Sequence, residues 1–545
     1  MSIFTLGASA IRGGETPDKN YLCFTANKAG STVELKKLDT FEGIHIEYST
    51  DGDMWIPVDF SSATTTTTGV ITLNDAGDKV YFRNTFEGVA KVFSTDPSCA
   101  YKFIMTGSIA ASGNVMSLID KSCKAKEIPC GDCFRNLFQD CTALTSAPSL
   151  PATTLAGSCY EYMFDGCTNL TSAPELPATT LATSCYSSMF SGCTALKSAP
   201  KLPATTLANK CYSSMFNGCT SLTSAPELPA TTLATYCYQS MFNGCTSLTS
   251  APELPATTLA NYCYTNMFSG CTGLTSAPKL PATTLANNCY SAMFTGCTNL
   301  NYISVAFTTW VNTYTMKWLF NVSPTGIFIC PEELPKTYSV FQIPSGWTVN
   351  GYDLTVSSVG WASMYLPITV TIPEGIEVYY ASAASENTIT LTKIEDKIPA
   401  NTGVIVKASE GKVTFTYDNS NPTLSGTNLF EGTSGNKAFN AEKDGAVYVL
   451  SGVNEDNGNP QFQNYTGTTL GAHKIWLPAS AVGGSNAKEL RFVFENEETG
   501  IHSINVNDSS TGSETGENMY NLNGVRVNDG YKGIVIVNGK KVIKK

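Results

Sequence analysis

Between Cys133 and Cys297 one phrase recurs seven times, clearest as LPATTLATSCYSSMFSGCTALKSAPK from Leu176 to Lys201, and Cys159, Cys185, Cys211, Cys237, Cys263 and Cys289 follow one another at a constant step of 26 residues. A fixed period of roughly 20–29 residues with leucines at constant offsets is the pattern of stacked coils, in which each unit contacts only its neighbours. One such coil is too small to bury its own apolar side chains, so the array is a single cooperative solenoid or it is unfolded.

Within the coil Leu170–Cys193 the inward set is Leu170, Ala173, Leu176, Leu181, Cys185, Met189, Phe190 and Cys193. Leu181, Cys185, Met189 and Cys193 are four apart, and Tyr186 with Phe190 adds a second such pair, which predicts a short amphipathic helix over Ala182–Phe190, stopped by Gly192. Leu170–Ala173 reads as the strand. Pro174 ends its ladder, having no N–H to donate, and Pro177 turns the chain onward.

Fourteen of the nineteen cysteines belong to the repeat, in two columns at 133, 159, 185, 211, 237, 263, 289 and 141, 167, 193, 219, 245, 271, 297. Parallel columns with an odd number of members read first as small buried hydrophobes, with disulfides between neighbouring coils as the alternative and Cys123–Cys130 as the candidate isolated bridge. Cys130-Gly-Asp-Cys133 is a C-x-x-C without the second pair of a zinc site or the βαβ context of a redox centre, so structure is the reading and no metal is expected.

The 545 residues suggest three or four domains. Residues 15–120 alternate like an antiparallel β-sandwich, with strands at Tyr21–Thr25, Ile44–Tyr48, Val70–Leu73 and Lys79–Phe82, and with turns at Asp51–Asp53 and Asn74–Gly77. Asp51 and Asp53 read as turn residues and not as a calcium loop. Residues 121–350 form the solenoid with a C-terminal cap containing Trp310, Trp318 and Trp347. Residues 351–502 form a second β-sandwich with strands around Met364, Val378, Thr388, Val404, Val413, Val447 and Leu490. Residues 503–518 are a linker, and 519–545 a small β tail. The fold class expected is therefore mainly β with short helices.

A net charge of −11 with 34 Lys+Arg and no basic stripe excludes a nucleic-acid partner. No run of 18 apolar residues is present to span a membrane as a helix. The start, MSIFTLGASAIRGGETPDKN, lacks a basic residue ahead of its apolar stretch and does not read as a secretory signal. His45, His473 and His502 are the three histidines. None lies in a catalytic motif, and the acidic run at Glu495, Glu497 and Glu498 reads as a solvated edge, so no enzyme activity and no cofactor are expected.

Recognition is sought where the repeat varies. The column after the first proline reads Ser149, Glu175, Lys201, Glu227, Glu253, Lys279, and the column before the first cysteine reads Ser158, Ser184, Lys210, Tyr236, Tyr262, Asn288. Tyr236 and Tyr262 fall on adjacent coils, where two exposed rings would grip a sugar or protein or would cover apolar surface.

The wording MFxGCTxLTSAPxLPATTLAxxCYxx over Cys133–Leu300 resembles the BspA-like leucine-rich-repeat surface proteins of Bacteroidetes. Residues Tyr21–Asp120 look like the β module that often precedes such repeats, and Ile343–Val349 like their usual exit. The ending, from Tyr520-Asn521-Leu522-Asn523-Gly524 to Lys541-Val542, is similar to the C-terminal sorting-type segments of exported proteins. The resemblance implies a cell-surface or secreted, monomeric leucine-rich-repeat protein that binds a protein or glycan on host, matrix or neighbouring cells. The alternative is a passive structural or spacer component of a cell surface or phage particle.

Overall fold

The computed structural model describes residues 20–37, 45–60, 67–85, 101–311, 313–339, 341–385, 388–440, 445–453, 459–482 and 489–495, with further strands at Met519–Asn521, Arg526–Val527, Gly533–Val537 and Lys540–Lys544. The linker expected at 503–518 lies outside the described residues. The protein is mainly β. Among the described residues helix is confined to two 3-10 turns, Val115–Leu118 and Ala479–Val482.

The helix expected over Ala182–Phe190 is absent, and what replaces it builds the repeat. Ser184, Ser188 and Gly192 have left-handed φ values of +55°, +52° and +70°, so the chain makes one tight turn every four residues instead of winding at 3.6. The N–H groups of Cys185, Ser187, Met189, Ser191 and Cys193 close these turns onto carbonyls three residues back, at 3.1–3.3 Å. The alternate N–H groups, of Ser184, Tyr186, Ser188, Phe190 and Gly192, donate to Asn209, Cys211, Ser213, Met215 and Asn217 of the next coil at 2.7–3.1 Å. Every backbone donor from Ser184 to Cys193 thereby has a partner, half within the coil and half beyond it, which is how a buried non-helical segment meets the demand for paired amides.

The strand expected at Leu170–Ala173 is also much reduced. A true strand occupies that position in the first coil, Leu144–Ser146, and again at the exit, Tyr302–Ser304. Between them that ladder thins to single parallel bridges such as Ser198 with Ser224, while a separate file beyond the prolines links Thr180 with Thr206, Thr232 and Thr258 in succession. The two prolines that follow at once in every coil remove the donors a longer ladder needs.

Side chains 26 residues apart stack in register. Phe138, Phe164, Phe190, Phe216, Phe242, Phe268 and Phe294 form one file of near-parallel rings with neighbouring centroids 5.3–5.7 Å apart. Tyr160, Tyr186, Tyr212, Tyr238, Tyr264 and Tyr290 form a second file at 5.9–6.0 Å. Offset stacking at these distances is favourable beyond burial alone.

Both ends of the array are closed by the flanking β segments. On the N-terminal side, two antiparallel sheets built from Leu22–Ala26, Ser31–Lys37, Lys79–Asn84, Tyr101–Thr106 and their neighbours share one apolar core with the repeats. Phe103 stacks on Phe138 at 5.4 Å and its N–H donates to Leu137 O, while Ile109–Ser112 pairs in parallel with Leu144–Ser146. The strand Tyr101–Thr106 thus takes the place of a preceding coil. At the other end Tyr302–Ser304, Gly326–Ile329 and Trp347–Val349 continue the parallel stack, and fully buried Trp318 lies beneath Tyr290. Indole N–H groups of Trp310, Trp318 and Trp347 donate to Pro335, Gln342 and Ser323 carbonyls at 2.8–3.0 Å.

Beyond this exit a four-stranded sheet starts with Gly351–Val356. A nine-stranded sheet runs from Trp361–Leu366 to Glu431–Thr433 and does not close into a barrel. All seven strands expected here are present, extended by a few residues, and Pro460–Asn464 and Lys474–Pro478 join them.

Candidate recognition surface

The first left-handed position of each coil is the column Asp132, Ser158, Ser184, Lys210, Tyr236, Tyr262, Asn288, with φ between +51° and +59° throughout. The backbone there is set by the cross-coil hydrogen bonds and is the same whatever the side chain, so the column is free to vary. For residues other than Asn and Asp this conformation costs about 1–2 kcal/mol, a cost the two amide ladders sustain.

Tyr236 and Tyr262 are brought together, as their register requires, but as a closed pair. Their rings stack at 4.5 Å and 15°, and both residues are half-buried. Lys210 Nζ lies 5.6 Å from the Tyr236 centroid on the preceding coil, and the Asn287 amide reaches the Tyr262 hydroxyl at 3.5 Å. One face of each ring is covered by the other, so the pair offers edges, hydroxyls and the exposed Lys210 ammonium rather than two open faces. Asn209 and Asn261 extend the same surface, each accepting a backbone N–H from the next coil at 3.2 Å. They escaped the sequence reading because it singled out rings and charges.

Glu175, Lys201, Glu227, Glu253 and Lys279 are all exposed. They belong to the other flank of the coil, beside the prolines. Glu227 and Glu253 border a shallow hollow of about 320 Å³ walled by Pro226, Pro229, Pro252 and Pro255. The repeated A-P-x-L-P motif is a signal for this proline-lined strip.

Burial makes the thiols of the two repeat columns poor nucleophiles. Column cysteines such as Cys159, Cys219, Cys237 and Cys271 are free, and burial pushes their thiols up to about 12. The second column ties one coil to the next. Cys193 Sγ donates to Phe164 O at 3.1 Å, and Cys167, Cys219, Cys245, Cys271 and Cys297 repeat the contact. Phe164 O also accepts the Cys167 N–H, so both of its lone pairs are used. Asp51 accepts the Asp53 and Met54 amides at 2.9 Å, a self-contained turn whose N–H donors hold its carboxyl below the usual range. No cluster of three or more His, Cys, Asp or Glu suited to a metal occurs among the described residues. No helix among them is long and apolar enough to cross a membrane.

Neither a curated protein nor a solved structure matches the chain. A family model does: residues 133–275 and 209–323 match the BspA type Leucine rich repeat region, in 6 copies. The repeat block of this chain is therefore similar to the leucine-rich repeats of BspA-like proteins.

Proposed function

We propose that the chain is a non-enzymatic recognition protein, displayed at a cell surface or secreted. In this reading the repeats form a leucine-rich-repeat solenoid between two β-sandwich-like end domains. The solenoid face engages a protein or glycan on host, matrix or neighbouring cells, in the manner of an adhesin. BspA-type repeats are typical of surface proteins engaged in protein interaction, which supports the coarser part of this reading. A Bacteroidetes-type source and a sorting-type tail at 519–545 belong to the same proposal.

The observation that carries it is the left-handed column. Its backbone is invariant over seven coils, yet its side chains run Asp, Ser, Ser, Lys, Tyr, Tyr, Asn, concentrating the cationic and aromatic members on three consecutive coils. Burial accounts for the constant columns and leaves this variation to contacts outside the chain. The test is a glycan and matrix-protein array probed with the wild-type chain and with the Tyr236→Ser/Tyr262→Ser double variant. The expected result is a partner whose affinity drops about tenfold or more in the variant, as for a paired aromatic anchor. Equal binding by both chains overturns the assignment of the face.

A further inference from the structure

The first strand of the nine-stranded sheet, Trp361–Leu366, is bonded along one side to Thr402–Lys407. On its other side Tyr365 N–H reaches His473 O at 3.1 Å, and the two-residue alternation of a strand turns the Ser363 backbone groups to that same edge. Opposite lies Val447–Val453, whose pairing with Lys474–Pro478 covers Val447 and Tyr448, and whose pairing with Pro460–Asn464 slips between Leu450 and Gly452. Where the sheet fails to close, a cleft of about 430 Å³ remains, within the range of small-molecule sites.

The lining has a definite chemistry. Thr355, Ser357, Ser363 and Ser451 are its hydroxyl-bearing residues, the Ser451 Oγ already donating to Gln461 O at 3.2 Å, Trp361 and Leu450 form apolar wall, and Lys474 stands among them. Lys474 is a cation without an ion pair among the described residues. Lys474 is an exposed residue, so its side chain reaches solvent as well as the cleft; partial desolvation lowers its pKa from the ordinary lysine value, although the chain as a whole has an acidic excess. Gly452 and Gly471 also line the cleft, and a Cβ on either would meet nothing within 4 Å.

We propose that this cleft binds an acidic sugar, a pyranose carrying one carboxylate, as a second site distinct from the repeat face. Hydroxyl side chains both donate and accept and so match a sugar's vicinal hydroxyls, the apolar wall suits its C–H surface, and a single ammonium balances a single carboxylate. A polyphosphate ligand would call for more than one cation.

The experiment is calorimetric titration of the full chain with oligosaccharides ending in glucuronate, galacturonate or sialate, with their neutral counterparts and with an acetylated Asp-Glu-Asp peptide as controls. At least one acidic sugar should bind in preference to its neutral counterpart and to the peptide. Lys474→Met should weaken it about tenfold or more, Gly452→Leu should abolish it by filling the cleft, and the Tyr236→Ser/Tyr262→Ser variant should leave it unchanged. The proposal is overturned if none of the three acidic sugars binds, if the peptide is preferred, or if Lys474→Met or Gly452→Leu chains with wild-type circular dichroism bind as wild type does.

Discussion

Replacing Ser214 and Ser240 by glycine should stabilise this protein, and the sign of that effect distinguishes the observed turn row from a helix. Both residues sit at the second left-handed position of their coils, with φ of +55° and +53°, and both are half-buried. An L-residue pays about 1–2 kcal/mol to occupy this region. Glycine escapes that penalty but loses about 0.5–1 kcal/mol more in chain entropy on folding. The net gain is about 0.5–1 kcal/mol per site, or roughly 1–2 kcal/mol for the pair, since adjacent coils couple and the sum is approximate. The file of glycines at Gly192, Gly218 and Gly244, at the next left-handed position, shows that the stack accommodates them. For a cooperative block of nearly 200 residues the pair should raise the melting temperature by about 3–6 °C, read by thermal circular dichroism. Ser214→Val should lower it, because a β-branched side chain is least tolerant of positive φ. If Ala182–Phe190 and its counterparts were helical, both glycines would instead be destabilising by a few tenths of a kcal/mol each. A fall in melting temperature for the double variant therefore refutes the turn-row geometry.

Cys219→Ala should cost about 1–2 kcal/mol, combining a small void with the loss of the thiol that bonds Phe190 O, measured by chemical denaturation. The column thiols should resist iodoacetamide at pH 8 in the native protein and react fully in denaturant, because only the thiolate is nucleophilic. His473 is buried against Tyr352, its Nδ1 lies 3.0 Å from Tyr365 O, and its pKa is lowered by desolvation, with the nearby Lys474 ammonium adding to the shift. A depressed value means the unfolded chain takes up the proton first. The His473 contribution is therefore intact above about pH 6.5 and is lost as the pH falls from there through the folded value. His473→Asn, which tolerates the local φ of +57°, should flatten the stability profile below about pH 6.5 relative to wild type. An unchanged profile would remove His473 from the account.

The repeat period, its apolar columns and the β character of both flanks are legible in the sequence because burial writes itself directly into residue type. The coil interior is misread for a reason visible in the same residues. Leu181, Cys185, Met189 and Cys193 are spaced by four, a spacing that suggests a 3.6-residue helix. Three steps of four along an α-helix rotate by about 120°, which would carry Cys193 off the face that Leu181 defines. All four are buried together, as a chain with one turn per four residues allows. The glycine at 192, in phase with Ser184 and Ser188, is the sign of that turn and not a helix stop. The packing across the N-terminal junction is not legible for a different reason. Phe103 lies in the strand Tyr101–Thr106 and packs at the head of the phenylalanine file that continues through Phe138 to Phe294, and no local pattern records that a strand will serve as a coil. The Tyr236–Tyr262 register follows from the period alone, but the stacking of the rings on one another depends on the left-handed backbone beneath them. The same backbone that frees this column to vary also dictates how its side chains lie, so a partner of this face must fit a closed aromatic pair flanked by Lys210, and not two open rings.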